Sequence, residues 1–128
     1  MAKGTARIGR DQYRTQIEVG GHPLVADEPQ ALGGANAGPA PYDLLLASLG
    51  ACTAITLRMY ADRKAWPLAS VEVGLHFSRG DDGAPKIDRT LTITGLDDEQ
   101  QARLLDIAER TPVTLTLKGG VPIHTTLG

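Results

Sequence analysis

A charge-free run from Leu44 to Leu57, LLLASLGACTAITL, most restricts what this chain can become. Every position in it is apolar or small. Asp43 stands just before it, where a negative charge complements a helix dipole, and Arg58, Arg63 and Lys64 follow, where cations are favoured. Trp66-Pro67 ends the pattern, because proline disfavours helical backbone in the residue before it. Tyr42 to Lys64 therefore reads as one long helix. A helix that is apolar all round is buried all round. The run is shorter than the roughly 18 residues that mark a bilayer span, so the expectation is a core helix and no membrane. The 128 residues correspond to a single domain, 1–128. One layer of sheet cannot enclose such a helix, so part of its surface is expected to pack on a second copy. Ala47, Ser48, Gly50, Ala51 and Ala54 are small enough for two such helices to approach closely.

Strand signals flank the helix on both sides. Tyr13, Thr15, Ile17 and Val19 alternate with Arg14, Gln16 and Glu18, the period of a half-solvated strand. Gly20-Gly21 signals a two-residue turn, with His22 to Ala26 pairing back. Asp27 to Pro41 is a Gly/Pro-rich loop, long enough to suggest either function or a flexible connector. Ala69 to Arg79 and Lys86 to Thr94 form a second hairpin: Val71, Val73 and Leu75 face one side, as do Ile87, Leu91 and Ile93. Asp97 to Arg110 is a second helix, opened by the capping-box pair Asp97 and Gln100. Pro112 breaks it or starts a new turn, Val113 to Leu117 is a short helix or extended piece, and Val121 to Leu127 closes as a strand. The order ββ-α-ββ-α-β is that of an α+β fold built on antiparallel pairs.

The composition narrows the function. Net charge is −2 and no Lys/Arg cluster marks a phosphate-binding face, which argues against nucleic acid. The N-terminal Met1 to Arg10 lacks the apolar core of a signal peptide, and a single cysteine suits a reducing compartment, so a cytoplasmic location is expected. His22, His76 and His124 have no ligand spacing with each other or with the cysteine, so no metal is expected. No phosphate loop, dinucleotide fingerprint or serine-nucleophile motif is present, and no cofactor is expected.

Cys52 is the residue most able to carry chemistry. It is either a small buried core residue or a thiol activated by a nearby cation or a helix N-terminus. It lies too deep in its own helix for that helix's dipole to act, so activation requires a group from another segment. Arg10 and Arg14 are candidates, with Arg58 behind them. Asp43 could orient such an arginine and Tyr42 could donate a hydrogen bond; both also suit the start of a helix.

The stretch from Gly38 to Ala61, GPAPYDLLLASLGACTAITLRMYA, resembles the OsmC/Ohr family, whose hallmark is a proline-started helix with a small-residue pair before a cysteine. The following Asp62 to Pro67 is similar to one branch of that family, and weaker similarity covers most of the chain. The resemblance implies antiparallel curved sheets around a long buried central helix, in an intertwined homodimer with two active sites at the subunit interface. In the peroxidase members a first cysteine is oxidised by a hydroperoxide to a sulfenic acid, a second cysteine condenses with it, and a dithiol resets the pair. Cys52 matches the first. Thr111, in Glu109-Arg-Thr-Pro-Val-Thr114, stands at the place of the second, and a hydroxyl cannot form a disulfide. The Ohr-type glutamate after the helix-starting proline is replaced by Tyr42, with an acid one residue later at Asp43. Gly9-Arg10-Asp11 is most similar to the family's arginine loop.

Three readings follow, the third being a stress-related dimer with only a structural role, which no feature of the sequence supports positively. In the first, the protein is a one-cysteine thiol peroxidase reducing organic hydroperoxides through Cys52 and an external thiol reductant, with Arg10 as the activating cation and Thr111 beside the sulfur. In the second, a dimer of the same fold binds a small ligand without catalysis, and Cys52 is structural.

Overall fold

The computed structural model describes residues 1–128. The chain divides into two compact units, Met1–Leu45 and Leu46–Gly128. Its α+β architecture has two antiparallel sheets and three α-helices.

The first unit is built on a three-stranded meander, β1 (Gly4–Arg7), β2 (Thr15–Val19) and β3 (His22–Ala26), in that spatial order. Val19 pairs with His22 across Gly20 and Gly21, whose φ values of 59° and 80° are those of a tight turn with two left-handed positions. The sequence offers no sign of β1, because all four of its residues are exposed and no alternation marks it. The long loop after β3 is ordered around Asp27, which is buried. Its Oδ1 accepts from the N–H groups of Tyr13 and Glu28, and its Oδ2 from those of Ala35 and Ala37. These donors, Ala37 foremost, hold the carboxyl below its ordinary value against the opposing effect of burial. The loop also contains a short 3-10 turn, Gln30–Leu32. At Gly38 any β-carbon would stand 2.1 Å from Val25 O, so the chain passes β3 too closely for a side chain.

The helix α1 (Pro41–Arg63) has the 23 residues expected of Tyr42 to Lys64, set one position earlier; with a mean hydropathy of 1.5 over its most apolar stretch it has the length and composition of a bilayer span. Its packing is that of a core helix. Leu49, Thr53, Leu57 and Ala61 form a buried stripe at four-residue spacing. Leu57 and Ala61 join Leu68 and Leu104 in the core, flanked by Val71, Leu91 and Ile93 of the second sheet. Burial of a leucine side chain such as Leu57 or Leu104 contributes about 1.5–3 kcal/mol. Only this stripe is fully buried within the chain; Ile55 and Met59 are 54% and 53% exposed.

The second sheet pairs β4 (Ser70–Arg79) with β5 (Pro85–Thr94) in unbroken register from Ser70↔Thr94 to Arg79↔Pro85. Val71, Val73, Leu75 and Phe77 face inward from β4, and Ile87, Arg89, Leu91 and Ile93 from β5. The helix α2 (Asp98–Ala108) opens with the expected capping box at Asp97 and Gln100. Pro112 starts α3 (Pro112–Gly119), with Thr111 as its N-cap, where a proline's missing N–H costs nothing. The strand expected over Val121 to Leu127 is absent. A strand persists only by pairing with another, no strand of this chain pairs with that segment, and Val121, Ile123 and Leu127 are exposed.

Candidate functional site

Cys52 lies on α1 beside the buried stripe and is half-buried. Its Sγ accepts a hydrogen bond from the backbone N–H of Val113 at 3.4 Å. Val113 is the second residue of α3, and the first N–H groups of a helix have no partner within it. The turn that Thr111 and Pro112 create therefore presents a free donor, on the positive end of a helix dipole, to the only thiol in the chain. Cysteine acts as a nucleophile through its thiolate, and a donated N–H is a partner for that charge.

Behind this contact is a buried polar cluster. Thr53, Thr111 and Thr114 are all buried, and Arg89 reaches them from the inward face of β5. Arg89 Nη1 donates to Thr53 Oγ1 at 3.0 Å and to Thr114 Oγ1 at 2.9 Å, while Nη2 donates to Ala108 O at 2.9 Å. Thr53 Oγ1 donates in turn to Leu49 O at 2.7 Å. Thr114 Oγ1 donates to Ala108 O at 3.3 Å. A hydroxyl has one proton, so at the 2.6 Å contact between Thr111 and Thr114 the proton belongs to Thr111. Thr111 Oγ1 then accepts from the N–H of Thr114 at 3.4 Å, as an N-cap does. Every buried polar side-chain atom has a partner. Glu109 Oε2 lies 4.0 Å from Arg89 Nη2 and 2.6 Å from Lys118 Nζ. The lysine's hydrogen bond and charge hold the Glu109 carboxyl below its ordinary value, with a smaller contribution from Arg89.

Of the residues singled out in the sequence, Cys52 and Thr111 belong to this site. Arg10, Tyr42 and Asp43 belong to the first unit. Arg10 is exposed in the segment between β1 and β2. Asp43 Oδ2 accepts from the N–H of Ala40 at 2.9 Å, tying the start of α1, and Tyr42 beside it is 61% exposed. Arg58 is taken up by Asp62 and by Leu68 O. Arg89 went unremarked in the sequence, although the alternation Ile87, Arg89, Leu91, Ile93 puts an arginine on the apolar face of its strand. No group of three or more His, Cys, Asp or Glu side chains converges as a metal site would require.

Comparison with known proteins places the chain in a family. Residues 33–126 match the family of OsmC-like proteins. No curated protein matches the chain significantly in sequence. Among solved structures, an OsmC-like protein from Mycoplasma pneumoniae is 19% identical, with a TM-score of 0.73 over 93% of this chain and 88% of that one. An organic hydroperoxide resistance protein OsmC from Legionella pneumophila is 23% identical, with a TM-score of 0.68 over 93% and 90%. The organic hydroperoxide resistance protein OhrB of Bacillus subtilis is 27% identical, with a TM-score of 0.63 over 93% and 91%. The chain belongs to the OsmC-like protein family.

Proposed function

We propose that this protein is a one-cysteine thiol peroxidase that reduces organic hydroperoxides through Cys52. The observation that carries the reading is the half-buried Cys52 Sγ accepting from the N–H of Val113 at the start of α3. The thiolate attacks one oxygen of the O–O bond. The S–O bond forms as the O–O bond breaks, and the other oxygen leaves as an alkoxide that takes up a proton to become the alcohol. Cys52 is left as a sulfenic acid, the reversible first step of thiol oxidation. One external thiol condenses with it, releasing water and forming a mixed disulfide, and a second external thiol attacks that disulfide to restore Cys52. No second cysteine takes part, because the chain has only Cys52; Thr111 stands where the resemblance would place the family's second. Arg10, Tyr42 and Asp43 join the proposal as the family-like cation and its orienting groups, and Thr111 as the residue that caps the helix facing the sulfur.

The working form is a cytoplasmic, intertwined homodimer. The exposed apolar side of α1, with Ile55 and Met59, supports a second copy as its cover.

The test is consumption of cumene hydroperoxide by the purified protein with excess dithiothreitol, beside Cys52→Ser. Turnover that disappears in the variant supports the peroxidase. Equal slow loss in both proteins overturns it in favour of a ligand-binding dimer, a reading supported by the structural cap that Thr111 forms in place of a resolving cysteine.

A further inference from the structure

We infer that Arg89 is a positioning residue for Cys52: its guanidinium fork locks the α2–α3 turn to α1, so that the N–H of Val113 stays aimed at the sulfur. The inference rests on Cys52 being the reacting thiol and adds a residue that acts on it through the backbone.

The geometry of the fork carries the argument. Arg89 Nη1 has two protons, and both are committed: one to Thr53 Oγ1, the side chain next to Cys52 in α1, and one to Thr114 Oγ1, the residue after Val113 in α3. Nη2 holds Ala108 O at the end of α2. One planar group thus bridges the residue following the thiol and the residue following its donor. It also fixes the carbonyl just before the turn that aims that donor. Arg89 is mostly buried, with 13% of its side chain exposed, so these bonds face little competition from water. The threonines are oriented as acceptors because their own protons are spent on Leu49 O and Ala108 O. The charged groups facing the guanidinium are Glu109 at 4.0 Å and, behind it, Lys118. A lysine would keep the charge at this position but, as a point charge on a flexible stem, would not reproduce the planar fork.

The experiment is the rate of alkylation of Cys52 by iodoacetamide as a function of pH, in native wild type, Arg89→Gln and Arg89→Lys. Urea unfolding of each protein is measured alongside. The expected result is a rate at neutral pH about tenfold lower in Arg89→Gln, the size of losing one hydrogen bond to a charged sulfur. The midpoint of its pH profile moves upward, and Arg89→Lys behaves like Arg89→Gln. A purely structural Arg89 would lower stability and leave the pH profile of the native protein where it was, which overturns the inference. Full restoration by Arg89→Lys also overturns it, because charge alone would then suffice. So does a wild type that alkylates no faster than Arg89→Gln at every pH. Should Arg89→Gln not fold, Thr114→Val removes one of the two Nη1 acceptors, and an unshifted profile in that variant counts against the inference equally. Alkylation consumes no peroxide. A wild type that alkylates as expected but does not turn over hydroperoxide sinks the peroxidase reading and leaves the role of Arg89 standing.

Discussion

Val113 and Cys52, 61 positions apart in sequence, meet in a single hydrogen bond: the backbone N–H of one donates to the Sγ of the other at 3.4 Å. The donor is available because Pro112 and Thr111 open a new helix at that point, and the first turn of a helix leaves its N–H groups unpaired.

That turn depends on Thr111. Its Oγ1 caps α3 and its proton goes to Thr114. Thr111→Ala is expected to cost about 1–2 kcal/mol, the usual loss for an N-cap, with Thr111→Ser recovering most of it. Urea denaturation measures both. A Thr111→Ala protein as stable as wild type would show that the cap does not hold the turn.

The uncovered side of α1 predicts assembly. Met59→Asp places a charge where a second helix would pack, and the mass measured by light scattering should fall to that of one chain. Met59 is 53% exposed in the single chain, so the secondary structure should be retained in circular dichroism. A wild type that already runs as a single chain refutes the dimer.

Asp27 predicts a pH dependence in the loop before α1. Its folded-state carboxyl is held below the ordinary value, chiefly by the N–H of Ala37. The folded state therefore binds this proton less readily than the unfolded chain. The stabilisation is fully present above the unfolded value of about 3.9 and is lost as pH falls through the lower folded value. Hydrogen-exchange protection of the Ala35 and Ala37 amides should fall over that acid range. In Asp27→Asn it should be weak at every pH, because the amide's NH2 cannot accept. Protection that is flat with pH in the wild type would exclude Asp27 as the organiser.

Two glycines should respond in opposite ways. Gly38→Ala forces a β-carbon against Val25 O, 2.1 Å away, and should destabilise by about 1–3 kcal/mol, as overpacking does. Gly119→Ala, at the end of α3 with open space around it, should be neutral or stabilise by up to about 1 kcal/mol through the unfolded chain. Thermal melts of the two variants decide this; similar effects in both would contradict the close passage at Gly38.

Much of the molecule follows from local order along the chain. The charge-free run dictates α1, the period-two alternation dictates β2, β4 and β5, Gly20-Gly21 dictates the first hairpin, and Asp97 with Gln100 dictates the start of α2. Each of these signals acts between residues a few positions apart, so the sequence alone determines them. The motif around Cys52 likewise marks the family from local sequence alone. The tertiary structure decides what depends on distant partners. β1 exists only because β2 offers it an edge, and the segment after Gly120 forms no strand because no strand of the chain pairs with it. Arg89 becomes the centre of a site only when β5 brings it against α1, α2 and α3, 36 positions from Thr53 and 25 from Thr114. Hydrogen bonds over such separations depend on where packing places the strands and helices. Burial then turns an arginine in an ordinary strand pattern into the bridge between a thiol's helix and the helix that faces it.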